Sequence, residues 1–108
     1  MPHRRHRQSD AAVIRRDGRR ILVSGPVTLA NVAVVLEEGR RHFDEGVRAV
    51  DLSEVTEMDS SLLAAMLAWL RDAKSREREL AFTNLPESLR TIARLYGVDT
   101  LLPVTASA

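Results

Sequence analysis

No cysteine occurs among the 108 residues. That excludes disulfides, thiolate metal sites and cysteine nucleophiles, and it fits a reducing compartment. Aromatics are nearly as scarce: Trp69, Tyr96, Phe43 and Phe82 make up 4% of the chain, so the core must be built from Leu, Val, Ile and Ala. No apolar run approaches the roughly 20 residues that a membrane span needs. The opening MPHRRHRQSD is charged but not followed by a long apolar segment, which argues against a cleaved secretory signal. The expectation is a soluble, cytoplasmic protein that meets a membrane only indirectly, through a partner.

Catalytic equipment is missing as well. Two of the three histidines, His3 and His6, stand in the first ten residues, and the third, His42, falls on a helix surface. Glu38 and His42 have the i, i+4 spacing of an exposed helix pair, not of a metal site with enough ligands. The five glycines, at 18, 25, 39, 46 and 97, are scattered and form no phosphate-cradling loop. No Ser-His-Asp set can be assembled around His42. No catalytic residue, metal or cofactor is therefore expected.

Charge is unevenly placed. Residues 1–20 hold seven arginines against Asp10 and Asp17, a local charge of +5; the remainder holds nine basic and thirteen acidic residues, or −4. Residues 1–10 read as a disordered basic leader, and residues 11–108 as a single domain. With no aromatic among the first twenty residues there is no platform for stacking bases, and no nucleic-acid partner is expected.

Hydrophobic periodicity gives the order β-β-α-β-α-β-α. AAVIRRDGRRILVSG reads as a hairpin, with Val13 and Ile14 on one strand, Asp17-Gly18 as the turn and Ile21 to Val23 on the other. Gly25-Pro26 is expected to break the second strand. Thr28 can cap a helix to about Phe43, with Leu29, Val32, Leu36 and Phe43 as its inward stripe. Val47 to Leu52 is a strand, and EVTEMD a short loop or strand end. A helix spans about Ser60 to Ser75 and is apolar nearly all round from Leu62 to Leu70; such a helix is buried on several sides or exposes apolar surface to a partner. Leu80 to Thr83 is a fourth strand, and a last helix over 86–97 turns Leu89, Ile92, Ala93 and Tyr96 inward before Gly97 closes it. Such an alternation predicts an α/β fold, a four- to five-stranded mixed sheet with helices packed against it.

Asp59, Ser60 and Ser61 stand directly before the apolar helix. Side-chain oxygens there can accept orphan backbone N–H groups as a helix cap. An exposed hydroxyl at the same place can also serve as a docking or phosphorylation point, since a phosphate would add about −1.5 to −2 charge beside Asp59. Thr28, Leu62, Ala65 and Trp69 are the candidate interface residues around it. Trp69 pointing inward would fill a core poor in aromatics; pointing outward, it would anchor an interface.

From VRAVDLS through MDSSLLAAMLAWL to TIARLYGVDTLLP, and back through ILVSGPVTLANVAVVLEE, the chain resembles a STAS domain over about residues 12–103. In that family a strand ending in Asp-Leu, here Asp51-Leu52, leads to an Asp-Ser or Asp-Thr pair, here Asp59-Ser60, and then a helix. Two subgroups are similar. Anti-sigma factor antagonists carry a phosphorylatable serine that maps to Ser60, but favour Asp where Thr28 stands. MlaB-type proteins are similar at Thr28 and in the ending Ile92-Ala93-Arg94-Leu95-Tyr96-Gly97-Val98, followed by Leu101-Leu102-Pro103. Both usually have Gly where Leu62 stands. The MlaB resemblance is the fuller one. It implies a non-enzymatic cytoplasmic accessory subunit that binds the ATPase of a phospholipid-transporting ABC transporter and supports its assembly and activity. The alternative is an anti-sigma factor antagonist, partnered by an anti-sigma factor kinase and regulated at Ser60.

Overall fold

A computed structural model describes residues 11–105, so the expectations for the basic leader lie outside the described residues. Strands β1 (Val13–Asp17) and β2 (Arg20–Val27) form the hairpin. Helix α1 (Val32–Asp44), strand β3 (Ala49–Met58), helix α2 (Ser60–Ser75), strand β4 (Ala81–Thr83) and helix α3 (Glu87–Leu95) follow, and a 3-10 turn spans Asp99–Leu101. The element order is the one the periodicity predicts. Strand β4 ends at Thr83 as expected but starts at Ala81, one residue after the expected Leu80, and α2 has the expected bounds.

The four strands lie in the order β1-β2-β3-β4, with the first pair antiparallel and the others parallel. Both parallel crossovers advance in the same direction across the sheet. Crossovers of one hand then put α1 and α2 on the same face. That face is the core: Ile21, Val23, Val50, Leu52 and Phe82 alternate inward and are fully buried. Val104 adds a single bridge beside Phe82, parallel to it, so the sheet's fifth position is one residue long.

The uncovered face is held by charge. Arg15 meets Glu54 at 3.1 Å, and Arg20 reaches both Asp17 and Asp51 at 3.4 Å. Ser24 donates its hydroxyl to Glu54 at 2.6 Å. Asp51 is only 5% exposed. Burial raises its pKa, but bonds from the Ser53 N–H and hydroxyl and from the Asn84 amide, with the nearby charge of Arg20, outweigh it and hold the carboxyl below its ordinary range.

Several local expectations need correction. Asp17 pairs with Arg20, so the hairpin loop is Gly18-Arg19, not Asp17-Gly18. Gly18 at φ 68° takes the first central position, where a turn of this hand wants glycine. Gly25-Pro26 does not end β2. The last β1 partner is Val13 opposite Ser24, so Pro26 lies where that side of β2 has no partner strand and its missing N–H goes unused. With β2 continued to Val27, EVTEM has a partner and extends β3, two register shifts absorbing the mismatch. Helix α1 starts at Val32 rather than at Thr28. Thr28 instead opens a preceding turn: its Oγ1 accepts from the Ala30 N–H, and Asn31 Oδ1 accepts from the Thr28 N–H. Tyr96 is exposed, because α3 ends at Leu95 and Gly97 turns the chain away. The Val98 N–H reaches the Ala93 carbonyl and the Gly97 N–H that of Arg94, the paired bonds of a Schellman ending.

Trp69 points inward and is fully buried. Its Nε1–H donates to the Leu36 carbonyl at 3.0 Å, and its ring meets Phe43 edge-on at 5.4 Å between centroids. The indole lies directly against Gly39: a Cβ there would fall 2.5 Å from Trp69 Cζ2. A helix-interior glycine normally costs about 1 kcal/mol relative to alanine. Here the overlap reverses the sign, and we expect Gly39→Ala to destabilise by about 1–3 kcal/mol. Urea denaturation checks this: a lower midpoint is expected, and a higher one would mean that the tryptophan does not occupy this space.

Candidate docking site

Asp59 organises the loop. Its backbone is extended, with φ −129° and ψ −169°, and it is the N-cap of α2. One carboxylate oxygen, Oδ1, accepts from the Ser61 N–H at 2.8 Å. The other, Oδ2, accepts from the Leu29 N–H at 3.0 Å. A single side chain therefore caps α2 and ties its start to the turn before α1. The Leu29 N–H first, and then the Ser61 N–H and hydroxyl, hold the Asp59 carboxyl below its ordinary range.

Ser60 is the first residue of α2 and is exposed, while Ser61 is half-buried. Because Asp59 supplies the cap, the Ser60 hydroxyl carries no capping duty. Leu62 is fully buried in the first turn, its N–H bonded to the Asp59 carbonyl at 3.2 Å. Among the described residues other than glycine, positive φ occurs only at Glu77 and Asn84. The backbone at Leu62 therefore needs no glycine, and the missing glycine does not loosen the loop.

Of the four candidate interface residues, Leu62 and Ala65 do not reach the surface, and Trp69 takes the inward of its two readings. Leu62, Ala65 and Trp69 are at most 3% exposed. Helix α2 gives Leu62, Leu63, Met66 and Trp69 to the buried cluster it shares with the strands and contacts both α1 and α3, so most of its circumference is covered. Its all-round apolarity reflects burial on several sides rather than a free face. Thr28 is half-buried beside the loop.

Beside the loop, outward apolar surface comes from the turn before α1 and the start of α1 itself. Leu29 is 78% and Val34 67% exposed, and Ala30 and Ala33 are exposed between them. Leu29 was expected inward. The actual stripe is Val35, Gly39 and Phe43, with Val32 and Leu36 packed at its margin. The signal available in the sequence was Gly39: a helix-interior glycine marks a close approach by a large neighbour, and so an inward position. On α2, Ala64 is the exposed residue one turn beyond Ser60. The Asp59–Leu29 bond brings the two pieces together, so that a hydroxyl, an ionised carboxylate and exposed apolar side chains share one end of the domain.

The shared carboxylate can be tested by dividing it. Asn caps helices about as well as Asp, but its amide has one acceptor oxygen instead of two. Asp59→Asn should keep the shorter Ser61 bond and lose the one to Leu29. Amide hydrogen exchange should speed up at Leu29 and stay slow at Ser61; unchanged exchange at both would show that the bridge is not formed. The pH dependence follows from the depressed pKa. Stabilisation by Asp59 is fully present above its unfolded-state value, ordinarily 3.8, and is lost as pH falls through the lower folded value, so protection of Leu29 should fade only below that range.

Comparison with known proteins bears on both fold and family. The structure superposes on the anti-sigma factor antagonist SpoIIAA in its unphosphorylated form with TM-score 0.68 and 13% identity, over 91% of this chain and 89% of that one. The phosphorylated form, described as a Bacillus cell fate determinant, gives TM-score 0.65 and 14% identity over 91% and 92%. An anti-sigma factor antagonist from Mycobacterium paratuberculosis gives TM-score 0.65 and 18% identity over 87% and 83%. At these identities the likeness establishes a shared fold. The family model described as "Mlab, STAS domain" matches residues 11–103, nearly the whole described chain, and by that match the protein belongs to the MlaB-type STAS domain family.

Proposed function

We propose that the protein is a non-enzymatic docking subunit that binds the ATPase of a phospholipid-transporting ABC transporter and supports its assembly and activity. The observation that carries this reading is the surface at the Asp59 bridge: exposed Leu29, Ala30, Ala33 and Val34 beside the exposed Ser60 and Ala64. Apolar side chains gathered at one end and edged by polar groups have the make-up of a protein interface. The ATPase is the favoured partner because the matching family carries the MlaB description. No helix among the described residues is long and apolar enough to cross a membrane, so in this reading the protein reaches one through that partner.

A second reading has its own support. Ser60 is exposed at the first position of α2, directly after a carboxylate, and the similar structures include an anti-sigma factor antagonist in a phosphorylated form. Under this reading Ser60 accepts phosphate from an anti-sigma factor kinase and the added charge ends the complex.

Substitutions at the surface separate the two. Ser60→Ala should leave folding nearly unchanged. Ser60→Glu would place a carboxylate in a packed interface at a cost of a few kcal/mol, and Val34→Asp should act in the same direction. Neither should shift stability by more than about 0.5 kcal/mol, because both sites are exposed. We expect both charged variants to lose co-purification with the ATPase while their unfolding stays cooperative. Incubation of the unsubstituted protein with an anti-sigma factor kinase and ATP tests the alternative: a mass increase of one phosphate at Ser60 would select it. Unchanged binding of both variants to the ATPase would remove the docking surface proposed here.

A further inference from the structure

A second feature lies at the other end of β3, remote from Ser60 and independent of the docking reading. Where the last turns of α1 and α2 leave the sheet, a crevice of about 300 Å³ opens between them. Its floor is apolar, formed by Phe43, Val47, Ala73 and Leu80. Two ion-pair bridges span the helices beside it. Arg40 Nε donates to Asp72 Oδ2 at 2.6 Å. Arg76 and Arg78 each donate through Nη1 to the same oxygen, Asp44 Oδ1, at 3.1 and 3.0 Å.

The second bridge is unusual in its stoichiometry. Two guanidinium groups converge on one carboxylate oxygen, and that carboxylate belongs to the last residue of α1, where the helix dipole disfavours negative charge. Each guanidinium carries five donors. Among the described residues Nε and Nη2 of both arginines have no hydrogen-bond partner; Arg78 spends Nη1 on Asp44 and on the Phe43 carbonyl. Forked, half-used guanidinium groups are the usual recognition element for phosphate and carboxylate. Asp44 occupies the position such an anion would take.

We propose that this crevice binds a small anionic amphiphile. The phosphate or carboxylate head is taken by Arg76 and Arg78 in competition with Asp44, and a short apolar tail lies on Phe43, Ala73 and Leu80. Glu37 and Glu79 on the rim disfavour a polyanionic head. The volume is at the small end of the about 300–1,000 Å³ usual for ligand pockets, which suits a short alkyl chain.

Calorimetric titration with hexyl phosphate, and with inorganic phosphate in parallel, tests the proposal. Hexyl phosphate should bind saturably and at least about tenfold more tightly than inorganic phosphate, because its methylenes cover the apolar floor. Amide NMR shifts should centre on residues 43–48 and 72–80. Arg76→Glu should abolish binding. Asp44→Ala should strengthen it about two- to fivefold by removing an exposed competitor, a gain that a merely structural ion pair would not give. Absence of saturable binding, equal affinity for the two probes, shifts centred elsewhere, or weaker binding by Asp44→Ala would each overturn it.

Discussion

The contact between Trp69 and Gly39 sets the geometry on which the rest depends. The indole fills the space under α1, bonds to the Leu36 carbonyl and meets Phe43 edge-on. Only a residue without Cβ allows α1 to approach so closely. The contact fixes the rotation of α1 about its own axis: with Gly39 facing inward, Val35 and Phe43 must be buried, and Val34 must face outward. The exposed apolar face of α1 is thus a consequence of how the core is packed.

The same packing brings the two helix starts close enough for one carboxylate to serve both. Asp59 accepts from Ser61 on its own helix and from Leu29 on the preceding turn. Both bonds favour the ionised form, so the loop is fixed and charged at neutral pH. A partner would meet a rigid surface whose ordering cost has been met in folding. Ser60 stands beside that carboxylate, exposed and not needed for the cap.

Much of this was legible in the chain. The change of hydrophobic period from two to near four and back marks each element, and α2 could be bounded because Asp-Ser-Ser starts it and the apolar pattern ends near Ser75. Pairing was harder to read. Proline ends a strand only where its missing N–H is needed, and nothing local shows that β2 lacks a partner at Pro26. Facing was hardest, because VAVV and LLAAML carry apolar residues in every direction and their periodicity does not select a side. The pattern therefore reads Leu29 as inward and Leu62 and Ala65 as interface residues, against their actual placement, and leaves both directions open for Trp69, which takes the inward one. The place of Asp59 at the start of α2 is legible in the chain, but its link to Leu29 joins residues thirty positions apart and exists only in the fold.

In the proposed function, a partner binds the surface that Asp59 joins. Amide hydrogen exchange, measured on the free protein and in the presence of the ATPase proposed as its partner, tests this most directly. Added protection is expected at residues 29–37 and 60–64, with exchange on the uncovered face of the sheet and around Leu95 to Leu101 unchanged. Protection confined to the sheet face or to the 3-10 turn, with residues 29–37 and 60–64 as free in the complex as outside it, would contradict it.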